Sequence, residues 1–110
     1  MQELNLTLTK NKLPEVWTDV LASVSDFTEI QKQSFDVIAS GQNVLATSPT
    51  GTGKTLAYLL PSLLKVQKKQ GQQLLILAPN SELAGQIFEV VKSLAEPLNL
   101  TANLVISGAS

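Results

Sequence analysis

The sequence has no arginine, no histidine and no cysteine. Each absence excludes something. Without cysteine or histidine there is no disulfide, no zinc site of the Cys/His kind, and no nucleophile–base pair built on either residue. A small secreted scaffold held together by disulfide bridges is therefore ruled out. All eight cations are lysines, set against nine carboxylates, for a formal charge of -1. That balance lacks the bulk positive field typical of nucleic-acid binders. No charged-then-apolar leader opens the chain, and no apolar run approaches the length of a membrane span, so no membrane partner is expected. A cytoplasmic location is the expectation that fits the absent cysteines. What is present is 44% hydrophobic and 15% charged residues in a chain of 110. This is the composition of a folded segment, one domain or part of one.

The pattern along the chain alternates helix and strand signals. Residues 1–13 are polar with alternating Leu4, Leu6 and Leu8, which suits an N-terminal arm or a short edge strand. From Pro14, the positions of Val16, Trp17, Val20, Leu21 and Val24 predict a helix over 14–24. Thr28-Glu29-Ile30-Gln31 fits a capping box, and Gly41 marks where the helix it opens should end. Apolar runs at 43–47, 74–78 and 103–107 read as buried strands. Between them, helices are expected from Lys54 to Gln70, with Pro61 kinking or resetting it and Gly71 at its C′ position, and from Asn80 or Ser81 to about Ala95. Strands alternating with helices predict an α/β fold, a parallel sheet with flanking helices. Three strands are few for such a sheet, so the expectation is an incomplete one.

One motif carries chemistry. Ser48-Pro49-Thr50-Gly51-Thr52-Gly53-Lys54-Thr55 follows an expected strand and opens an expected helix. Gly51 and Gly53 allow backbone angles that turn several N–H groups inward around a phosphate. The helix start adds about half a positive charge at the same place. Lys54 is placed to reach the β- and γ-phosphates, and the Thr55 hydroxyl to ligate Mg²⁺. Ser48 stands where the usual pattern has its first glycine.

With these residues in view, the chain resembles a DEAD-box RNA helicase of superfamily 2. The resemblance runs over about residues 15–110. The family writes the phosphate loop A-x-T-G-x-G-K-T, and Leu56-Ala57-Tyr58-Leu59-Leu60-Pro61 continues it in the family's manner. Ile30-Gln31 and Gly41-Gln42-Asn43-Val44 are similar to the adenine-reading Q motif and its approach to the first strand. Pro79-Asn80-Ser81-Glu82-Leu83-Ala84 is similar to motif Ia, and Ser107-Gly108-Ala109 to the Gly-Gly element. There are departures. Phe27-Thr28-Glu29-Ile30-Gln31 lacks the two prolines of P-T-P-I-Q, and Ser81 replaces the arginine of motif Ia. The adenine-stacking aromatic would fall near Leu6.

The resemblance implies a RecA-like P-loop fold over 14–110, the N-terminal portion of the first of two such domains. It implies ATP and Mg²⁺ as cofactors, with Gln31 and Ser48 through Thr55 holding nucleotide and Lys54 and Thr55 acting in catalysis. It implies RNA as the partner, gripped by its backbone at Pro79, Asn80, Ser81 and Gly108, weakly for this chain alone. A second RecA-like domain is the other expected partner. Gln31 has two candidate roles, reading adenine through its amide or capping its own helix. Asn80 and Ser81 can likewise cap a helix or meet phosphate. No apolar strand ends in Asp-Glu, so the acid that orients water and any arginine finger must come from elsewhere. The isolated chain is thus expected to be inactive. Two other classes fit the phosphate loop alone. One is a different P-loop enzyme, such as a DNA helicase or small kinase. The other is a non-catalytic nucleotide- or partner-binding module.

Overall fold

The computed structural model describes residues 13–24, 26–46 and 53–107. Of the expected arm or edge strand at 1–13, residues 1–12 lie outside the described residues, and Leu13 is buried. The chain divides into two compact units, Met1–Lys65 and Val66–Ser110.

In the first unit, α1 spans Glu29–Ala39 and α2 spans Lys54–Leu63. The two helices pack against each other. The capping box forms in full. The Thr28 hydroxyl accepts from the Gln31 N–H, and the Gln31 Oε1 accepts from the Thr28 N–H. At the other end Ser40 caps α1, and Gly41 follows with φ +87°. The Gly41 N–H donates to the Ile38 carbonyl and the Gln42 N–H to the Val37 carbonyl, the paired bonds of a Schellman ending.

The helix expected over 14–24 is not a regular one. A 3₁₀ turn covers Glu15–Trp17, and turns follow it. Trp17-Thr18-Asp19-Val20 are poor helix formers, and a segment this short cannot offset nucleation by propensity. It is anchored by burial instead. Trp17 and Leu21 are buried with Leu13 and Phe27, and the Leu21 N–H donates to the Trp17 carbonyl at 2.9 Å. Trp17 and Phe27 are therefore core residues, while Phe35 is half-buried.

α2 stops at Leu63, seven residues short of the expected Gln70. Pro61 is buried inside it and supplies no N–H to the ladder. Continuing the helix would stack Lys65 above Lys68 and Lys69 on one face, and like charges at that spacing repel. The lysines sit in the following turns instead, with Lys69 at φ +63°. Gly71 is left-handed at φ +77°, but it belongs to this loop and is not the C′ residue of α2. The Gln73 side chain closes the loop. Its Oε1 accepts from the Gln67 N–H at 2.9 Å, and its Nε2 donates to the Gln67 carbonyl at 2.6 Å.

In the second unit, α3 spans Ser81–Ala95 and runs into a 3₁₀ turn at Glu96–Leu98. Of the two expected caps, Asn80 is the one used: its Oδ1 accepts from the Leu83 N–H at 2.8 Å. Asn99, left-handed at φ +58°, ends the turn.

The three expected strands do not form. Among the described residues there is no strand. A strand exists only when a neighbour takes its N–H and C=O groups, and among the described residues none does so. The apolar side chains of the three runs show the same want of a neighbour: Leu45 is 94% exposed, Leu75 82%, Leu77 85% and Val105 90%. The parallel sheet is thus missing from the described residues, and the α/β expectation is met only in its helices. No described helix is long and apolar enough to cross a membrane.

The same substitution should act in opposite directions at two glycines. Gly41→Ala forces a side chain onto φ +87° and should cost about 1–3 kcal/mol. Gly85 lies inside α3 with open space where a Cβ would go, so Gly85→Ala should add about 0.5–1 kcal/mol. Urea unfolding midpoints of the two variants should move apart accordingly.

Candidate nucleotide-binding site

The site begins at the N-terminus of α1. The capping box uses one end of the Gln31 amide, the Oε1. The other end crosses to α2, where the Gln31 Nε2 donates to the Gly53 carbonyl at 3.2 Å. Gln31 is only 3% exposed, and both ends of its amide have partners. The sequence posed adenine reading and capping as competitors for Gln31. The structure adds a partner that neither reading named. Its signal in the sequence is faint: Gln31 and Ser34, the buried polar pair, sit on the stripe where an amphipathic helix places apolar residues.

Gly53 is the N-cap of α2, left-handed at φ +83°. Two separate reasons require glycine there. The φ disfavours any side chain. An added Cβ would also collide with the Gln31 Nε2 and stand 3.4 Å from the Thr28 Oγ1. Lys54 and Thr55 follow as the first two helical residues, Lys54 exposed and Thr55 half-buried. The intrahelical ladder starts with the Ala57 N–H donating to the Gly53 carbonyl at 3.2 Å. The N–H groups of Lys54, Thr55 and Leu56 precede it.

The three helix starts differ. α1 has the Thr28 cap and Glu29 in its first turn, and α3 has the Asn80 cap and Glu82. α2 has a cap residue without a side chain and no acid in its first turn. Its leading N–H groups and the positive end of its dipole are met by no carboxylate of its own, and Lys54 adds a full charge there. An anion fits such a place, and a phosphate fits it best.

One turn beyond Thr55, Tyr58 is half-buried. Burial holds its phenol protonated to higher pH than the ordinary 10.0, while a hydrogen bond with the Thr55 side chain works the other way. No group of three His, Cys, Asp or Glu side chains among the described residues could hold a metal ion. Thr55, whose hydroxyl is expected to hold Mg²⁺, is the second helical residue of α2.

Of the expected site residues, the structure brings together Gln31, Gly53, Lys54 and Thr55. Ser48, Pro49, Thr50, Gly51 and Thr52 lie outside the described residues, as does Gly108. Pro79, Asn80 and Ser81 belong to the second unit and are exposed at the start of α3. The side-chain oxygen of Asn80 is engaged in capping.

Residues 28–110, from the α1 cap onward, match the family model of the DEAD/DEAH box helicases. The chain belongs to this family. Within the DEAD-box helicases it corresponds to the N-terminal part of the first RecA-like domain. It is 48% identical over 99 residues to the DEAD-box ATP-dependent RNA helicase CshC of Bacillus cereus, taking in 89% of this chain and 23% of that protein. It is 45% identical over 84 residues to the probable ATP-dependent RNA helicase YfmL of Bacillus subtilis, 76% of this chain and 22% of that one. Its backbone follows a crystal structure of the RNA helicase Prp28 from Chaetomium thermophilum bound to ADP, with a TM-score of 0.77 and 31% identity, covering 94% of this chain and 27% of Prp28. This DEAD-box chain therefore spans about a quarter of the length of these three relatives.

The Tyr58 environment has a measurable consequence at alkaline pH. Because the folded phenol ionises above the unfolded one, its contribution to stability is intact below pH 10.0 and is lost as pH rises through the folded value. Tyr58→Phe should therefore leave the pH dependence of unfolding unchanged near neutrality and become progressively more stable than the parent above about pH 10. As Tyr58 is the sole tyrosine, phenolate absorbance reports its ionisation directly.

Proposed function

We propose that this chain is the nucleotide-binding entry of an ATP-dependent RNA helicase, whose RNA-stimulated ATP hydrolysis drives local opening of duplex. The observation that carries the reading is the start of α2, without a side-chain cap, free of acid and headed by Lys54, in a chain of DEAD-box sequence.

The residues divide the work. The first-turn N–H groups of α2 and the Lys54 ammonium hold the β- and γ-phosphates against their own charge. The Thr55 hydroxyl would hold Mg²⁺, whose chemistry there would be neutralisation of phosphate charge. Ser48 through Thr52 complete the cradle. Gln31 reads adenine without surrendering its other bonds, because an amide oxygen has two lone pairs and an amide nitrogen two protons. Oε1 and Nε2 each spend one of these within the fold, on Thr28 and Gly53. The acid that orients the attacking water, and the arginine that stabilises developing charge, come from residues outside this chain, including a second RecA-like domain.

RNA meets the chain at Pro79, Asn80, Ser81 and Gly108. The contact there is weak for the chain alone, since Glu82 stands in the first turn of α3 and no arginine is near. The proposed setting is cytoplasmic.

In a complete helicase core containing this segment, Lys54→Ala should lower RNA-stimulated ATP turnover by at least about 100-fold. Turnover stimulated equally by DNA, or unaffected by Lys54→Ala, would count against the proposal. The same core with Ser81→Arg should bind single-stranded RNA more tightly and gain about 0.7 in the slope of log affinity against log salt. An unchanged slope would remove Ser81 from the RNA path.

A further inference from the structure

The lysines of this chain are unevenly placed. Between Asp36 and Glu82 every charged residue is a lysine: Lys54, Lys65, Lys68 and Lys69. Lys54 heads α2. Lys65 stands at the end of α1, its Nζ 3.6 Å from where a Cβ on Gly41 would lie, and there it meets the negative end of that helix's dipole. Lys68 and Lys69 have no such use. A helix C-terminus would suit them, but α2 stops at Leu63 with no basic residue in its last turn. Among the described residues Lys32 pairs with Asp26 and Lys92 with Glu96, whereas neither Lys68 nor Lys69 pairs with a carboxylate. Both are exposed.

The loop that carries them has a frame of its own. The Gln73 side chain binds both backbone groups of Gln67, accepting from its N–H at 2.9 Å and donating to its carbonyl at 2.6 Å. The same Nε2 donates to the Gly71 carbonyl at 3.3 Å. These bonds join the two ends of the loop around Lys69, which sits at φ +63°, a conformation uncommon for a residue with a side chain. Strain of this kind persists where the surroundings impose it, and it gathers at ligand sites. Gln70 and Gln72 are exposed beside the lysines, and glutamine shares with lysine the work of donating to phosphate and sugar oxygens.

We propose that the loop 67–73 is a contact for RNA backbone, in which Lys68 and Lys69 each neutralise a phosphate and Gln73 holds the loop in shape to present them. This rests on the RNA-helicase reading above and adds a second contact to the unit that carries the start of α3. RNA is favoured over an acidic protein segment on two grounds. The start of α3 has Glu82 and no cation in its first turn, so a backbone held there gains from lysines elsewhere in the unit. Residues 67–73 also include no apolar side chain, and so lack the anchor on which protein interfaces depend.

The ¹⁵N-labelled chain is titrated at low salt with a short oligouridylate and, separately, with polyglutamate, following amide chemical shifts, which detect millimolar binding. The oligouridylate should shift the amides of 67–73. The double variant Lys68→Gln, Lys69→Gln should bind it more weakly, and the slope of log affinity against log salt should fall by about 1.4, two contacts at about 0.7 each. Gln73→Ala keeps both charges and opens the loop, so binding should weaken at least about twofold with the slope unchanged. Amide dispersion reports that each variant is folded. Shifts confined to the start of α3, or an unchanged slope in the double variant, would overturn the loop contact and leave the RNA reading standing. Polyglutamate shifting the loop where oligouridylate does not would overturn it in favour of an acidic protein partner. Gln73→Ala binding as tightly as wild type would overturn the role given to the frame. No shift anywhere with oligouridylate would overturn the RNA contacts of this chain and the loop contact together.

Discussion

The first unit depends on one buried side-chain amide. Gln31 joins the start of α1 to the start of α2, and its polar atoms are paired. Removing either partner would leave a buried donor or acceptor without compensation, at a cost of about 1–3 kcal/mol. The bond also decides where the helices begin relative to each other. The Gln31 Nε2 reaches the Gly53 carbonyl, and a Cβ on Gly53 would stand 3.4 Å from the Thr28 hydroxyl, so two helix N-termini converge. Both bring a positive dipole end to the same place. Thr28 and Glu29 answer the first of these, and nothing in the first turn of α2 answers the second. The convergence therefore leaves a local excess of positive potential in a chain whose net charge is slightly negative. Composition gives no hint of it, because the field comes from oriented backbone and one lysine.

What could be read from the sequence was what is decided locally. Thr28 with Gln31, Gly41, and Asn80 before α3 are side-chain and backbone signals acting within four residues, and each marks a helix end in the structure. The phosphate-loop signal is local in the same way, and it places Gly53, Lys54 and Thr55 at the start of α2. Misreadings arose where a longer range decides. The spacing of Trp17 and Leu21 is helical and both are buried, yet burial alone does not make a helix from poor formers. α2 ends two residues past Pro61, although apolar periodicity alone would carry the helix on. The Gln31–Gly53 bond joins residues 22 apart, which no periodicity connects.

The strands are the clearest case of a property that residues cannot hold alone. Leu74 through Ala78 and Leu104 through Ile106 have strand composition, and alternate members of each run are bare: Leu75 and Leu77 in one, Val105 in the other. Alternation of this kind is what a pleated strand shows when one of its faces has no cover. No charged side chain lies between Lys69 and Glu82, nor after Glu96. Nothing in either run opposes pairing, as the charges that guard exposed edges would. Their composition suits strands that are paired along both edges and covered on both faces. The described helices cap and pack by local rules, whereas a strand needs a neighbour for its backbone groups, and among the described residues none is formed.

This difference bears on how the two ends of the proposed activity depend on their surroundings. The phosphate end is assembled from one unit: α1, α2, a glycine and a lysine, fixed by bonds within that unit. Its polarity is built in. The RNA end has the opposite balance. The start of α3 is already capped by Asn80, Glu82 places a negative charge in its first turn, and the family's arginine is Ser81. A phosphodiester there meets main-chain N–H groups beside a carboxylate, with no side-chain cation in the first turn to hold it. Nucleotide affinity should therefore follow from the first unit's own geometry. On the proposed reading, RNA affinity instead needs positive charge from beyond the start of α3, and so depends on the rest of the proposed helicase more than nucleotide affinity does.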